Sequence, residues 1–215
     1  MLYVIEHLEP ELSEWLLIEY SHAAEVVGRE NLLVTNVRRR EDLKRLSRVL
    51  NVERRRVFKI FRGEELLLLD PAAEKAMCER DARGKRAIVV GGILGDDPPQ
   101  GRTRKMLTEL VRGATVRNIG RHQFSIDGAL YVAKRVAEGA SLGEVPVRIG
   151  VEIELHEGHS VFLPYAYPVV DGKPLLSSRL ISYLRKPWRL AVRTAGRSRV
   201  PFRAGRAQTR PPQRS

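Results

Sequence analysis

Two glycine-centred segments, each leaving a strand-like stretch, are the first places in this chain where residue types and spacing suit chemistry. In the first, Lys85 to Gly91 runs into Gly91-Gly92-Ile93-Leu94-Gly95 and then Asp96-Asp97-Pro98-Pro99. A dinucleotide loop needs G-x-G-x-x-G opening straight into a helix whose amides hold a pyrophosphate; here two aspartates and two prolines intervene, and negative charge repels phosphate. No Lys-Ser or Lys-Thr follows, which excludes a P-loop. What remains is a glycine-lined crevice at the carboxyl end of a buried strand, suited to something flat and not strongly anionic, such as an adenosine without phosphates. Alone, the motif reads better as a structural turn. The second segment, Arg117 to Ala129, also leaves a strand through a glycine, Gly120, and enters a helix capped by Ser125 with Asp127 in its first turn. Two such loops can meet around one ligand.

Carboxylates form the second constellation. Residues 1 to 30 hold seven glutamates against Arg29 alone, a balance of −6, whereas residues 38 to 62 hold eleven basic and three acidic residues, a balance of +8. Glu19 lies four residues after Trp15 and four before Ala23, on the apolar stripe of a helix, where an unpaired carboxylate is costly to bury. The blander reading is a helix-edge glutamate paired with an arginine. Glu6 ends the first strand and Glu14 lies near the start of the helix, so both can face one crevice that His7 and Trp15 would shape. Glu9 and Glu11 read as solvated first-turn acids, His22 as a helix-surface residue and His122 as a loop residue. The basic stretch reads as a solvated face, with RNA or ribosome contact as the alternative. His156-Glu157-Gly158-His159 spans a hairpin turn without a second ligand pair, so no metal site is expected. The single cysteine, Cys78, excludes an internal disulfide, a multi-thiolate zinc site and a redox CxxC pair, and spacing assembles no Ser-His-Asp or Cys-His set.

The elements that must position these residues alternate strand and helix signals, as in a sheet covered by helices. Leu2 to His7 reads as a strand, and Leu12, Trp15, Leu16, Ala23 and Val27 set a helix over Glu11 to Val27, entered after Pro10 and stopped by Gly28. Strands are predicted over Asn31 to Val37, Glu65 to Leu69, Lys85 to Gly91 and Thr115 to Ile119, with the third the central one because its continuous apolar run requires two buried faces. Helices are predicted over Glu41 to Leu50, Ala72 to Asp81, Thr103 to Val111, Ser125 to Glu138 and Ser178 to Leu184. Val147 to Leu155 and Ser160 to Val169 form a hairpin around Glu157-Gly158.

With 215 residues of which 43% are apolar, the chain can fill one α/β core. Its net charge of +12 is uneven: residues 186 to 215 carry nine basic and no acidic residues, leaving the body at +3. That arginine-rich stretch has no apolar period after about Val192 and reads as a disordered tail, either a solubilising extension or an arm that touches phosphates through charge. Apolar runs such as Trp15 to Ile18 and Ile88 to Leu94 are too short to cross a bilayer, and no signal pattern opens the chain, so a soluble, cytoplasmic protein is expected.

Tyr3 to Tyr20, Asn31 to Asn36, Leu67 to Ala73, Val90 to Thr103, Arg117 to Ala129 and Pro164 to Pro174 together resemble the SPOUT-class protein arginine methyltransferase family known from yeast, a group also described as S-adenosylmethionine-dependent RNA methyltransferases. The GGILGD-x-PP segment and the IEH…SEW…EY opening carry most of the likeness, which spans about residues 1 to 185. The resemblance implies a SPOUT-like α/β sheet with a C-terminal trefoil knot, while the hairpin and the basic tail of residues 186 to 215 are read from the residues themselves. It implies S-adenosylmethionine held between the two loops by Gly91, Gly92, Leu94, Gly95 and Asp96 from the first and Asn118, Ile119, Gly120, Gln123, Ser125 and Asp127 from the second. It also implies methyl transfer to an arginine of a basic, ribosomal protein. Carboxylates that pair with two guanidinium nitrogens orient the third, so Glu19, Glu6 and Glu14 become the candidate catalytic acids, with Trp15 and His7 binding substrate. An RNA methyltransferase and a non-catalytic ribosome- or RNA-binding protein remain the competing readings, and monomer and homodimer stay open.

Overall fold

The computed structural model describes residues 1–95, 100–156 and 159–186. Asp96 and the 187–215 portion of the predicted tail lie outside the described residues. Six parallel strands form the central sheet: β1 (Leu2–His7), β2 (Leu32–Thr35), β3 (Asn51–Val52), β4 (Leu66–Leu69), β5 (Ala87–Gly92) and β6 (Thr115–Arg117), in the order β3-β2-β1-β5-β4-β6. Successive side chains of β1 go to opposite faces: Tyr3 and Ile5 join the core that includes Leu16, Tyr20 and Leu130, while Val4 joins Leu66, Leu68, Val89 and Leu107 on the other side. Both faces are buried, which explains the unbroken apolar runs of β4 and β5.

The helix α1 (Glu14–Val27) starts three residues later than its apolar period suggested. Ser13 sets the start, because its Oγ accepts the Leu16 amide at 3.1 Å; Pro10 lies in the turn before it. Gly28, with φ of +91°, ends the helix in a conformation that glycine adopts without strain. The expected helix over 72–81 shrinks to α3 (Glu79–Ala82). Its earlier residues spend their backbone groups on the loop after β6 instead: Lys75 O accepts Asn118 N at 2.9 Å, and Met77 N donates to Asn118 O at 2.8 Å. The other helices are α2 (Arg40–Leu46), α4 (Arg102–Met106), α5 (Ile126–Ala137) and α6 (Ser178–Arg185). α5 is capped by Ser125 Oγ, which accepts Gly128 N at 3.3 Å, and it buries Leu130, Ala133 and Val136 against α1 and the sheet. Truncating Leu130 to alanine there would cost about 2–5 kcal/mol.

A second, antiparallel sheet joins β7 (Val147–His156), β8 (His159–Val170) and the short β9 (Lys173–Pro174). With α6 it packs Val151, Ile153, Leu163, Tyr167 and Leu180 against Trp15 and Ile18 of α1. The same face of α1 that carries Trp15 and Glu19 is thereby sealed from solvent.

Candidate active site

The carboxyl ends of β4, β5 and β6 open onto a cleft of about 380 Å³, the position where open α/β sheets bind ligands. Gly91, Gly95, Ile119, Gly120 and Gln123 line it, so both glycine loops meet there. A Cβ on Gly95 would fall 1.5 Å from Gln123 Nε2 and 2.5 Å from the Tyr165 ring, while Gly120 takes a φ of +116°, so each glycine is needed for its own reason. Tyr165 Oη donates to Gly95 O at 2.8 Å, and Ala166 N donates to Gln123 O at 2.9 Å, tying both loops to β8.

Other residues expected at the ligand serve it from behind. Gly92 does not line the cleft: Tyr20 Oη donates to its carbonyl at 3.3 Å, and a Cβ there would stand 2.2 Å from that hydroxyl. Asn118 braces the second loop, its Nδ2 donating to Ala73 O at 2.9 Å and its Oδ1 accepting Gly120 N at 3.0 Å. Ser125 caps α5. Asp127, buried, meets His22 Nδ1 at 2.6 Å and also accepts its neighbour Gly128 N. Leu94 and Ser125 face a narrow gap beside the cleft that Trp15, Glu19 and Tyr165 also border.

Other cleft residues carry no signal of their own in the sequence, among them Asp70 and Pro71 in the turn after β4, Arg102 and Thr103 in the first turn of α4, and Arg121. Asp70 is 1% exposed; its Oδ1 accepts Ala72 N at 2.8 Å, but among the described residues its Oδ2 has no hydrogen-bond partner and only an ion-pair contact with Arg104 Nε at 3.7 Å. A buried carboxylate oxygen without a donor is costly unless something else supplies one.

The carboxylates divide sharply. Glu19 is 4% exposed; Oε1 accepts Trp15 Nε1 at 2.6 Å and Oε2 accepts Ile126 N at 3.2 Å. Burial, reinforced by the charge of Asp127, pushes its pKa from 4.5 up to about 8 despite those two donors. Glu6 does not face the cleft. It points to the Val4 side of β1, where it is fully buried and saturated by Arg56 Nε at 2.7 Å, Thr35 Oγ1 at 2.5 Å and Val57 N at 2.9 Å. Glu14 is exposed and pairs with Arg45 at 2.9 Å, outside the cleft. These geometries make Glu6 a structural anchor and Glu14 a surface partner rather than catalytic acids. With Glu11 bound to Arg39 at 2.7 Å, three glutamates of the acidic opening are paired with three arginines of the basic 38–62 stretch. His7, 4% exposed, is kept neutral chiefly by burial, and its Nδ1 lies 2.9 Å from Tyr20 Oη; it supports Gly92 through Tyr20 and faces a different cleft. Trp15 orients Glu19. Glu9, expected to be solvated, lies before the helix and accepts Leu94 N and Arg102 Nη1, each at 3.1 Å.

The chain is an α/β fold with a six-stranded parallel sheet and a ligand cleft at its strand ends, and it is similar to solved structures of the SPOUT class. Dual-specific Trm10 from Thermococcus kodakaraensis shares that fold with a TM-score of 0.51 at 22% identity, over 67% of this chain and 96% of that one. Within the class, a model of the family described as protein arginine N-methyltransferase SFM1-like matches residues 2–189, and the chain belongs to that family. The curated protein arginine N-methyltransferase SFM1 of Saccharomyces cerevisiae is 30% identical over 207 residues, covering 86% of this chain and 95% of that protein. The crystal structure of the yeast arginine methyltransferase SFM1 complexed with SAM aligns with a TM-score of 0.77 at 26% identity, over 86% of this chain and 89% of that one, and the complex with SAH gives 0.77 at 27%, over 85% and 94%.

Proposed function

We propose that this chain is an S-adenosylmethionine-dependent protein arginine N-methyltransferase and that its substrate is a ribosomal protein. The observation that carries the reading is the Glu19 carboxyl, held rigidly by Trp15 and the first amide of α5 at the seam between the 380 Å³ cleft and the wall formed by Tyr165. A carboxylate beside the acceptor suits a cationic guanidinium, with which it pairs, better than an RNA strand, whose phosphates it repels.

The cleft suits the cofactor. Its glycines leave backbone open for a flat ring, Asp70 Oδ2 waits for a donor such as a sugar hydroxyl, and Arg102 and Arg121 offer positive charge to a carboxylate. Bound S-adenosylmethionine supplies an activated methyl whose bond to sulfur breaks, leaving its electron pair on sulfur, as a bond to nitrogen forms. The protein's task is then to hold the acceptor nitrogen in line at about 3–3.5 Å. Guanidinium is a weak nucleophile because its lone pairs are delocalised, and a carboxylate that pairs with its other nitrogens localises the positive charge away from the reacting one. Glu19 takes that role when ionised. The methylated group sheds one proton, and Glu19, with a pKa pushed up to about 8, is suited to accept it.

Residues 118 to 125 lie bonded to the 73–77 segment on one side and to β8 on the other, which supports reading this region as a trefoil knot. Exposed Arg38, Arg40, Lys44, Arg48 and Arg54, together with the basic tail, support a supplementary contact with RNA in a cytoplasmic ribosome. The test is transfer of a radiolabelled methyl group to ribosomes, followed by separation of protein from RNA and acid hydrolysis. Label in methylarginine is expected; label in RNA overturns the reading.

A further inference from the structure

A second cleft of about 360 Å³ opens beside the first, bordered by His7, Glu9, Asn36, Arg38, Asp42 and Met106. Leu8, Glu9 and Pro10 border this second cleft, and Glu9 links it to the donor cleft through Arg102. Glu9 is the only one of these three with a charged side chain, and its carboxylate already holds a guanidinium: Arg102 Nη1 lies 3.1 Å from Oε1, and Arg102 Nη2 donates to the carbonyl of Leu94. Arg102 itself borders the donor cleft. The chain has therefore built, next to its methyl-donor loop, a carboxylate and a carbonyl spaced to grip an arginine side chain, and Arg102 stands in that grip for an arginine from elsewhere.

We propose that Glu9 is the docking carboxylate for the acceptor arginine, which approaches through the second cleft and displaces Arg102 from Glu9 and from the Leu94 carbonyl. At Glu9 and at the Leu94 carbonyl one guanidinium replaces another, so both acceptors keep a charge-assisted hydrogen bond. Glu9 also fits this task by exposure. Its side chain is 18% accessible, so a partner reaches it without opening the core, whereas Glu19 lies deeper and is closed off by the hairpin. The displaced Arg102 stays in the donor cleft, where its charge serves the donor's carboxylate. Two carboxylates thus act in order on either side of Leu94: Glu9 captures and Glu19 orients. The proposal rests on the arginine-methyltransferase reading.

The test compares steady-state methylation of total small-subunit ribosomal protein by the wild type, Glu9→Gln and Arg102→Gln, at saturating donor, with donor affinity measured separately by calorimetry. Glu9→Gln is expected to raise KM for the acceptor protein at least tenfold while kcat and donor affinity stay within about twofold, the signature of lost ground-state binding. Arg102→Gln frees Glu9 and is expected to lower that KM at least threefold, even if donor affinity also falls. An unchanged KM in Glu9→Gln overturns the proposal, as does a loss of donor affinity as large as the change in KM, which would make Glu9 merely a strut for the Leu94 loop. If Glu9→Gln does not fold, Arg102→Gln decides alone: an unchanged or higher KM overturns the proposal. Wild-type label found outside methylarginine defeats the arginine reading itself and is seen before any variant is made.

Discussion

His22 Nδ1 meets Asp127 Oδ2 at 2.6 Å, joining the middle of α1 to the first turn of α5. Burial alone would lower the His22 pKa, but the hydrogen bond to Asp127 and that residue's charge raise it overall. Asp127 thus serves two groups: it holds the His22 proton, and its charge adds to burial in raising the pKa of Glu19. The same α5 terminus also gives Glu19 the Ile126 amide, so two helices cooperate to keep one titratable carboxyl in place.

Glu19→Gln keeps the shape of the side chain and removes its charge. Donor affinity should survive, while kcat for protein substrate falls at least about tenfold, equivalent to about 1.4 kcal/mol of transition-state stabilisation. Rates from radiolabel incorporation and donor titration by calorimetry check both halves. A normal kcat would remove Glu19 from the chemistry.

Stability should depend on pH through the same group. The pKa of Glu19 is raised on folding from 4.5 to about 8, so the native state holds its proton where the unfolded chain has lost it. Its contribution is fully present below about pH 4.5 and is lost as pH rises toward about 8. His22, also raised, has the same sign. Wild-type Tm is therefore expected to decline relative to Glu19→Gln between about pH 5 and 9, and parallel curves would contradict the burial argument. Activity runs the other way: kcat/KM rises with pH as Glu19 ionises, and kcat rises at lower pH because a bound guanidinium favours the carboxylate.

Gly92 and Gly91 should separate folding from binding. Valine at 92 collides with Tyr20 and Ile5, so Gly92→Val is expected to cost about 3 kcal/mol or more and to lose donor binding only because the protein unfolds. A Cβ at Gly91 meets Leu8 and Thr103 at an ordinary 3.4 Å. Gly91→Ala should therefore stay within about 1 kcal/mol of wild-type stability while losing roughly tenfold in donor affinity. Chemical denaturation alongside calorimetry measures the two effects.

Asp70→Asn tests the oxygen without a donor. Oδ1 keeps its bond to Ala72, but an amide NH2 replaces the second oxygen and the ion pair with Arg104 is lost, so stability should fall by no more than about 1–3 kcal/mol. Donor affinity is expected to fall about tenfold because a ligand hydroxyl loses its acceptor. Unchanged affinity would show that the ligand leaves Asp70 alone.

Deleting residues 187–215 should leave donor binding unaltered and weaken ribosome association most at low salt, where screening is least. Cosedimentation across a salt series reads this directly, and equal binding with and without the segment would make it a solubilising extension.

Much of the fold could be read in advance because its signals are local. Ser125 and Gly28 mark helix ends, and the apolar continuity of residues 87–90 marks a strand between two others. Glu19 was legible for the same reason, since a carboxylate four residues from Trp15 on an apolar stripe is conspicuous. What stayed hidden depended on distant partners. Glu6 shares the Val4 face of β1, and its role is set by Arg56 and Val57, fifty and fifty-one positions later. Gly92 looked like a ligand contact because nothing nearby in sequence announces Tyr20. Glu9 reads as solvated because the apolar period beginning at Leu12 draws the helix start back to Glu11, whereas the Ser13 cap starts it at Glu14. Asp70 carries its meaning only in the absence of a bond.

The order of the parallel sheet has a consequence for synthesis. β1 is made first, yet it pairs on one side with β2 and on the other with β5, Leu2 lying opposite Ala87 and His7 opposite Gly92. Until Gly92 has emerged, the nascent chain presents an open strand edge with apolar Tyr3, Val4 and Ile5 half covered. Pairing of this kind is slow and non-local. A chain whose β1 edge waits for β5 is exposed to mispairing while it is being made, so holding chaperones are expected to raise the yield of folded protein.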